Sequence, residues 1–177
     1  MNIIKNPAAF PQQFKNPANS EIHRRTIAVE IQDYADGNVD IFVAGNGTGG
    51  TIVAVGEFLK KKNPKTRCIA VGPESSPVLS GGKHGHHKIQ GIVAGFAPDV
   101  VNTDIINEII IVKDEDAGNA SRRLAKEEGL LCGISTGAAT WADIRLASRD
   151  ESRNKLIVVL FPDSAERYLS TWLINES

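Results

Sequence analysis

Gly45-Asn46-Gly47-Thr48-Gly49-Gly50-Thr51 decides how the rest of this chain is read. Before it, Val39 to Ala44 is an apolar run interrupted only by Asp40, which predicts a strand. After it, Thr51 to about Lys62 predicts a helix, closed by Asn63-Pro64. A glycine-rich loop between a strand and a helix exposes backbone N–H groups at the positive end of the helix dipole, where a phosphate binds. Glycines permit positive φ and a close approach of backbone to the anion, and Thr48 and Thr51 add hydroxyl donors. A sharp strand-to-helix turn is the plainer reading, but four glycines exceed what a turn requires.

Outward from the loop, strands and helices alternate. Ser20 is placed to cap a helix running to about Tyr34, with Ile22, Ile27 and Ile31 at helical spacing. Arg67 to Val71 predicts the next strand, and Gly72 to Asp104 shows little periodicity. Glu108 to Val112 predicts a strand, and Asp114 is placed to cap a helix that ends at Gly129. Leu130 to Ile134 reads as a short strand, Thr136 to about Ala147 as a helix and Leu156 to Phe161 as a strand buried on both faces. The tail from Ala165 reads as helical. This alternation predicts an α/β fold, a parallel sheet flanked by helices. Residues 1–19, with Pro7, Pro11 and Pro17, read as an irregular arm whose Phe10 and Phe14 need something to pack on. Residues 20–177 read as the α/β domain.

Composition narrows the function. The 177 residues are 41% hydrophobic and 23% charged, with 20 Lys+Arg against 21 Asp+Glu and a formal net charge of −1. Such a balance carries no bias toward nucleic acid or an anionic membrane. No apolar run is long enough to span a bilayer, and the N-terminus lacks a signal-peptide stretch. Two cysteines, Cys68 and Cys132, make no disulfide framework, so a cytoplasmic setting is expected. His84, His86 and His87 could ligate a metal, but no neighbouring Cys or Asp closes a ligand set and Lys83 and Lys88 repel a cation, so no metal site is assigned.

The loop also satisfies G-x-G-x-x-G at Gly45, Gly47 and Gly50, with Glu74 following 24 residues after Gly50. A nicotinamide dinucleotide-binding Rossmann domain is therefore an alternative, although Glu74 falls beyond Gly72-Pro73 and not at the strand tip. A second set of motifs is more specific. Gly47-Thr48-Gly49-Gly50-Thr51 resembles the phosphate-binding loop of the cysteine synthase family, the pyridoxal-phosphate O-acetylserine sulfhydrylases. Asn16-Pro17-Ala18-Asn19, Glu21-Ile22-His23-Arg24, His87-Lys88-Ile89-Gln90-Gly91-Ile92, Gly133-Ile134-Ser135-Thr136-Gly137-Ala138-Ala139 and Glu166-Arg167-Tyr168-Leu169-Ser170-Thr171 resemble it too, in family order.

The resemblance implies the larger C-terminal domain of a fold-type-II pyridoxal 5'-phosphate enzyme. It places the cofactor phosphate on Gly47, Thr48, Gly49, Gly50 and Thr51, and Ser135 at the pyridine nitrogen. Ser135 also reads as an N-cap for the following helix. The family reaction replaces the acetate of O-acetylserine by sulfide to give L-cysteine, and family members engage serine acetyltransferase. The resemblance covers roughly the C-terminal half of a family member. The Schiff-base lysine and the Thr-Ser-Gly-Asn substrate loop belong to an N-terminal segment, and neither motif occurs in these residues. No catalytic residue is therefore assigned, Lys88 included. The expectation is a truncated cysteine synthase-like protein that binds the cofactor non-covalently. Its expected partners are a second copy of the chain or a complementary N-terminal half. A cofactor-binding or partner-binding module without turnover is the alternative. Val93 stands at the second glycine of Gly-Ile-Gly, where a positive φ would strain a β-branched residue by about 1–3 kcal/mol.

Overall fold

The computed structural model describes residues 12–92 and 102–175, so Pro7, Phe10, Pro11 and Val93 lie outside the described residues. Four parallel strands form one sheet: β1 (Ile41–Gly45), β2 (Arg67–Pro73), β3 (Glu108–Val112) and β4 (Ile157–Val159), in the order β3-β2-β1-β4. Alternate side chains leave the sheet on opposite faces. Ile41, Val43, Ile69, Val71, Ile110 and Val112 pack on one face against Ala117, Ile134, Ala138, Ala142 and Leu146. These come from α4 (Asp114–Arg123) and α5 (Ile134–Ala147). Phe42, Ala44 and Cys68 pack on the other face against Ile52, Val55 and Leu59 of α3 (Gly50–Lys62). The unbroken apolar runs of β1 and β2 follow from this burial on both sides.

Two short helices, α1 (Ala18–Arg25) and α2 (Ile27–Tyr34), stand where one was expected from Ser20. The chain enters α1 earlier, because Asn16 Oδ1 accepts from the Ala18 N–H at 3.0 Å. It breaks at Thr26, whose φ and ψ of −115° and −88° leave the helical region while its hydroxyl donates to the Ile22 carbonyl at 2.9 Å. Ile22 is consequently exposed, whereas Ile27 and Ile31 reach the core. Asp114 is the first residue of α4 and makes no side-chain cap. Beyond α4 a π turn, Leu124–Glu128, closes at Gly129 with φ +71°, the expected left-handed C-terminal position.

Leu130 to Ile134 is not a strand. Cys132 makes a single antiparallel bridge to Ser164, and Ile134 already belongs to α5. The strand expected over Leu156 to Phe161 shortens to Ile157–Val159 and is half-buried, because β4 is an edge strand with β1 on one side only. The tail forms a 3-10 turn, Ala165–Tyr168, and one turn of helix, α6 (Trp172–Asn175). Among the described residues no helix is long and apolar enough to cross a membrane.

At the base of the sheet Glu108 accepts from both Arg149 amino groups, at 2.8 and 2.7 Å, and from Arg67 at 3.0 Å. The Arg149 hydrogen bonds hold the Glu108 carboxyl below the ordinary glutamate value of 4.5. A lowered folded-state value means the stabilisation is present above that pH and is lost as pH falls through the folded value. Arg149→Ala should cost about 1 kcal/mol near pH 7, since the pair is partly screened by solvent. In urea titrations the gap between variant and native chain should close as pH drops below 4.5. A gap independent of pH would assign the loss to packing of the arginine stem.

Candidate functional site

The chain runs β1, β2, β3 outward to one side and returns to place β4 on the other side of β1. The carboxyl ends of β1 and β4 therefore flank a topological switch point, where open α/β sheets bind ligands. A cleft of about 680 Å³ opens there, a size suited to a small cofactor. Gly45, Gly47, Thr48, Gly49 and Thr51 line it from β1 and the start of α3, and Ser135 lines it from α5. Gln90, Gly91 and Ile92 form a second wall, and Leu160, Pro162, Asp163, Arg167 and Tyr168 a third. Five of the six residues assigned from the sequence thus share one cavity. Gly50, the sixth, is buried as the first residue of α3.

Gly49 is the N-cap of α3 with φ +81°, a left-handed conformation that a Cβ disfavours. Gly47 faces the Gly91 carbonyl oxygen, which would stand 2.5 Å from a Cβ placed there. The loop is thus a wall of bare backbone, and the first N–H groups of α3 have no partner within their own helix. The Thr48 hydroxyl accepts from the Gly50 N–H at 3.2 Å and from Asn19 Nδ2 at 2.9 Å. The Thr51 hydroxyl lies 3.3 Å from His23 Nε2. Burial holds the His23 imidazole below its usual value, which keeps it neutral as a partner for the hydroxyl. Both α1 residues sit in stretches already noted for their resemblance, but no periodicity singles them out.

Ser135 does not cap its helix. It is the second residue of α5, the N-cap being Gly133, which has no side chain to offer. Asp163, just past β4, supplies the cap instead: its carboxylate accepts from the Ser135 N–H at 3.3 Å and the Thr136 N–H at 3.0 Å. It also accepts from the Thr136 hydroxyl at 2.6 Å and the Tyr168 hydroxyl at 2.7 Å. A Cβ on Gly133 would fall on this carboxylate and on the Tyr168 ring. Burial, and then the Asp163 bond, push the Tyr168 hydroxyl well above its ordinary value, so it remains a donor. Asp163 was missed in the sequence because its partners lie 27 and 28 residues away. An acidic residue directly after a strand was the one available signal.

The other sequence candidates lie elsewhere. Glu74 is exposed and does not line the cleft, so the acidic residue required by the dinucleotide fingerprint is not at the loop. No lysine lines the cleft among the described residues, and Lys88 Nζ stacks over Trp172 at 5.0 Å from the ring centre. His84 bonds Ser76, at 3.1 Å, and no cluster of His, Cys, Asp or Glu among the described residues could hold a metal. Burial pushes the Cys68 thiol up to about 11, and burial with the Asp163 charge raises Cys132, so neither is an activated nucleophile.

Residues 3–163 match the model of the pyridoxal-phosphate dependent enzyme family, and the chain belongs to that family. A cysteine synthase of Staphylococcus aureus is 50% identical over 166 residues, which are 93% of this chain and 53% of that protein. Isoform 3 of the O-acetylserine sulfhydrylase from Entamoeba histolytica superposes with a TM-score of 0.92 at 42% identity, over 99% of this chain and 52% of that one. The O-acetylserine dependent cystathionine beta-synthase of Helicobacter pylori gives 0.85 at 40% identity, over 91% and 52%. The chain spans about half the length of the curated relatives it matches.

Proposed function

We propose that this chain forms the phosphate and ring-nitrogen side of a cysteine synthase-type pyridoxal phosphate site. One observation carries the reading: a left-handed glycine cap on α3 and the start of α5 open into the same cleft at the sheet's switch point. The residues fit the group, since the loop wall leaves no room for a Cβ at Gly47 and the first turn of α3, whose N–H groups have no partner within that helix, opens on the cleft at Thr51. Gly47 to Thr51 would hold the phosphate. Ser135 would hydrogen-bond the pyridine nitrogen; a hydroxyl cannot keep a proton on that nitrogen as a carboxylate does, which suits removal of a good leaving group. When bound, the cofactor supplies the electron sink for the chemistry.

Within this chain the residues bind and orient. Asp163 and Tyr168 fix the start of α5, and so the place of Ser135. A Schiff-base lysine must be desolvated and aimed at the cofactor aldehyde. With no lysine lining the cleft among the described residues, these residues alone would not turn over O-acetylserine. Sulfide replacement of acetate is proposed for the assembled site, completed by a lysine-bearing N-terminal half. A second copy and serine acetyltransferase are proposed as further partners, and the cytoplasm as the setting. The test is an absorbance and fluorescence titration of the 177-residue chain. Saturable change with pyridoxal phosphate and none with a nicotinamide dinucleotide supports the reading. The opposite order overturns it.

A further inference from the structure

Two hydroxyls, Thr48 and Thr51, stand at the glycine loop, yet a threonine hydroxyl can point its proton in several directions and serves an anion only when it donates. A hydroxyl oxygen has one proton and two lone pairs. At Thr48 both lone pairs are taken by donors, the Gly50 N–H at 3.2 Å and Asn19 Nδ2 at 2.9 Å. The proton is left to point away from both, and Thr48 lines the cleft. We propose that Asn19 is a positioning residue that makes the Thr48 hydroxyl an obligate donor to a phosphate held in the loop, a role that rests on the phosphate-site reading above.

Two further observations support the assignment. The amide nitrogen of an asparagine is told from its oxygen by its partners, and here the second partner decides. Asn19 Nδ2 also donates to the Gln13 carbonyl at 2.8 Å. A flipped amide would set oxygen against that carbonyl and against the Thr48 oxygen, so the nitrogen faces Thr48. The Asn19 oxygen in turn occupies the space a Cβ on Gly50 would need, with Asn19 Cγ only 2.8 Å from it. Gly50 is therefore bare so that Asn19 can reach the loop. The cradle is not a self-contained strand–turn–helix unit, because α1 braces it from outside.

The test is a double-mutant cycle read by calorimetry, with inorganic phosphate as the probe and pyridoxal phosphate alongside it. Asn19→Ala should weaken phosphate about five- to tenfold, within what one hydrogen bond to a charged group is worth. In a chain carrying Thr48→Val the same change should have less than about a twofold effect, because no hydroxyl remains to orient. In a chain carrying Thr48→Ser the loss should return. Equal losses with and without the Thr48 hydroxyl, or no loss in the native background, overturn the proposal while leaving the phosphate site standing. A native chain that binds neither probe overturns the phosphate site and the proposal together. If thermal melts show that Asn19→Ala does not fold, Asn19→Asp replaces it. Its ionised carboxylate accepts where the amide donated, so the Thr48 proton turns away from the cleft. The loss should then exceed tenfold and shrink in the Thr48→Val background, and an undiminished loss there counts against the proposal.

Discussion

Gly137→Val should destabilise the chain by about 4 kcal/mol or more, the largest effect expected of any single substitution here. Gly137 lies on α5 where that helix crosses α4, and a Cβ placed on it would fall on the Ala117 carbonyl oxygen, with Ser121 Cβ and Ser121 N each at 2.8 Å. Backbone on a buried helix cannot yield as a flexible side chain does, so the helices must separate. Overpacking of a core costs about 1–3 kcal/mol where side chains can adjust. Here they cannot, and the opened interface also loses the burial of Ala117, Ala120 and Ala138. Valine gains helix propensity over glycine by only a few tenths of a kcal/mol. Because native domains are stable by about 5–15 kcal/mol, the variant should be mostly unfolded in mild urea. A urea midpoint within experimental error of the native chain would show that α4 and α5 do not approach this closely.

Gly49→Val should leave the fold intact and remove phosphate binding. The residue caps α3 at φ +81°, a region that costs a β-branched side chain about 1–3 kcal/mol. That strain is small against the stability of the domain, so the loop gives way first. Returning φ to negative values redirects the backbone at the start of α3, including the Thr51 N–H that an anion would use. Affinity for pyridoxal phosphate should fall by about two orders of magnitude or more, as several charge-assisted hydrogen bonds are lost together. Ser135→Ala removes one neutral hydrogen bond, worth about 1 kcal/mol, and should weaken binding only several-fold. Circular dichroism and calorimetry on the two variants check both halves of this expectation. Comparable losses from the two substitutions would place the anchor outside the glycine loop.

The difference between these two glycines shows what a sequence discloses. Both sit in motifs that resemble the family, and the motif alone does not say why Gly137 is bare. Gly49 is bare because its φ is left-handed; Gly137 is a packing residue, bare because another helix's carbonyl needs the space. Elements whose cause is local were legible: β1, β2 and β3 as apolar runs, α3 within one residue, the body and end of α5, and Gly129 as a left-handed stop. Features caused by distant residues were not. The start of α5 was misplaced, and a strand was expected in front of it, because its cap is Asp163, far along the chain. The break at Thr26 depends on one hydroxyl folding back on Ile22, which no hydrophobic period records. Asn19 and His23 brace the loop through contacts 29 and 28 residues apart. The tail forms little helix because Tyr168 is held by Asp163 and Thr171 bonds back to the Tyr168 carbonyl at 2.7 Å.

The central claim, that this cleft anchors a phosphate-bearing cofactor through the loop from Gly47 to Thr51, is tested most directly by competition. The chain is titrated calorimetrically with pyridoxal phosphate, first in a phosphate-free buffer and then with inorganic phosphate present at rising concentration. If the loop is the anchor, inorganic phosphate raises the apparent Kd for the cofactor linearly with phosphate concentration, by the ratio of that concentration to its own Kd, and pyridoxal without its phosphate binds far more weakly. An unchanged Kd at saturating phosphate, or equal affinity for pyridoxal and its phosphate ester, would contradict the account.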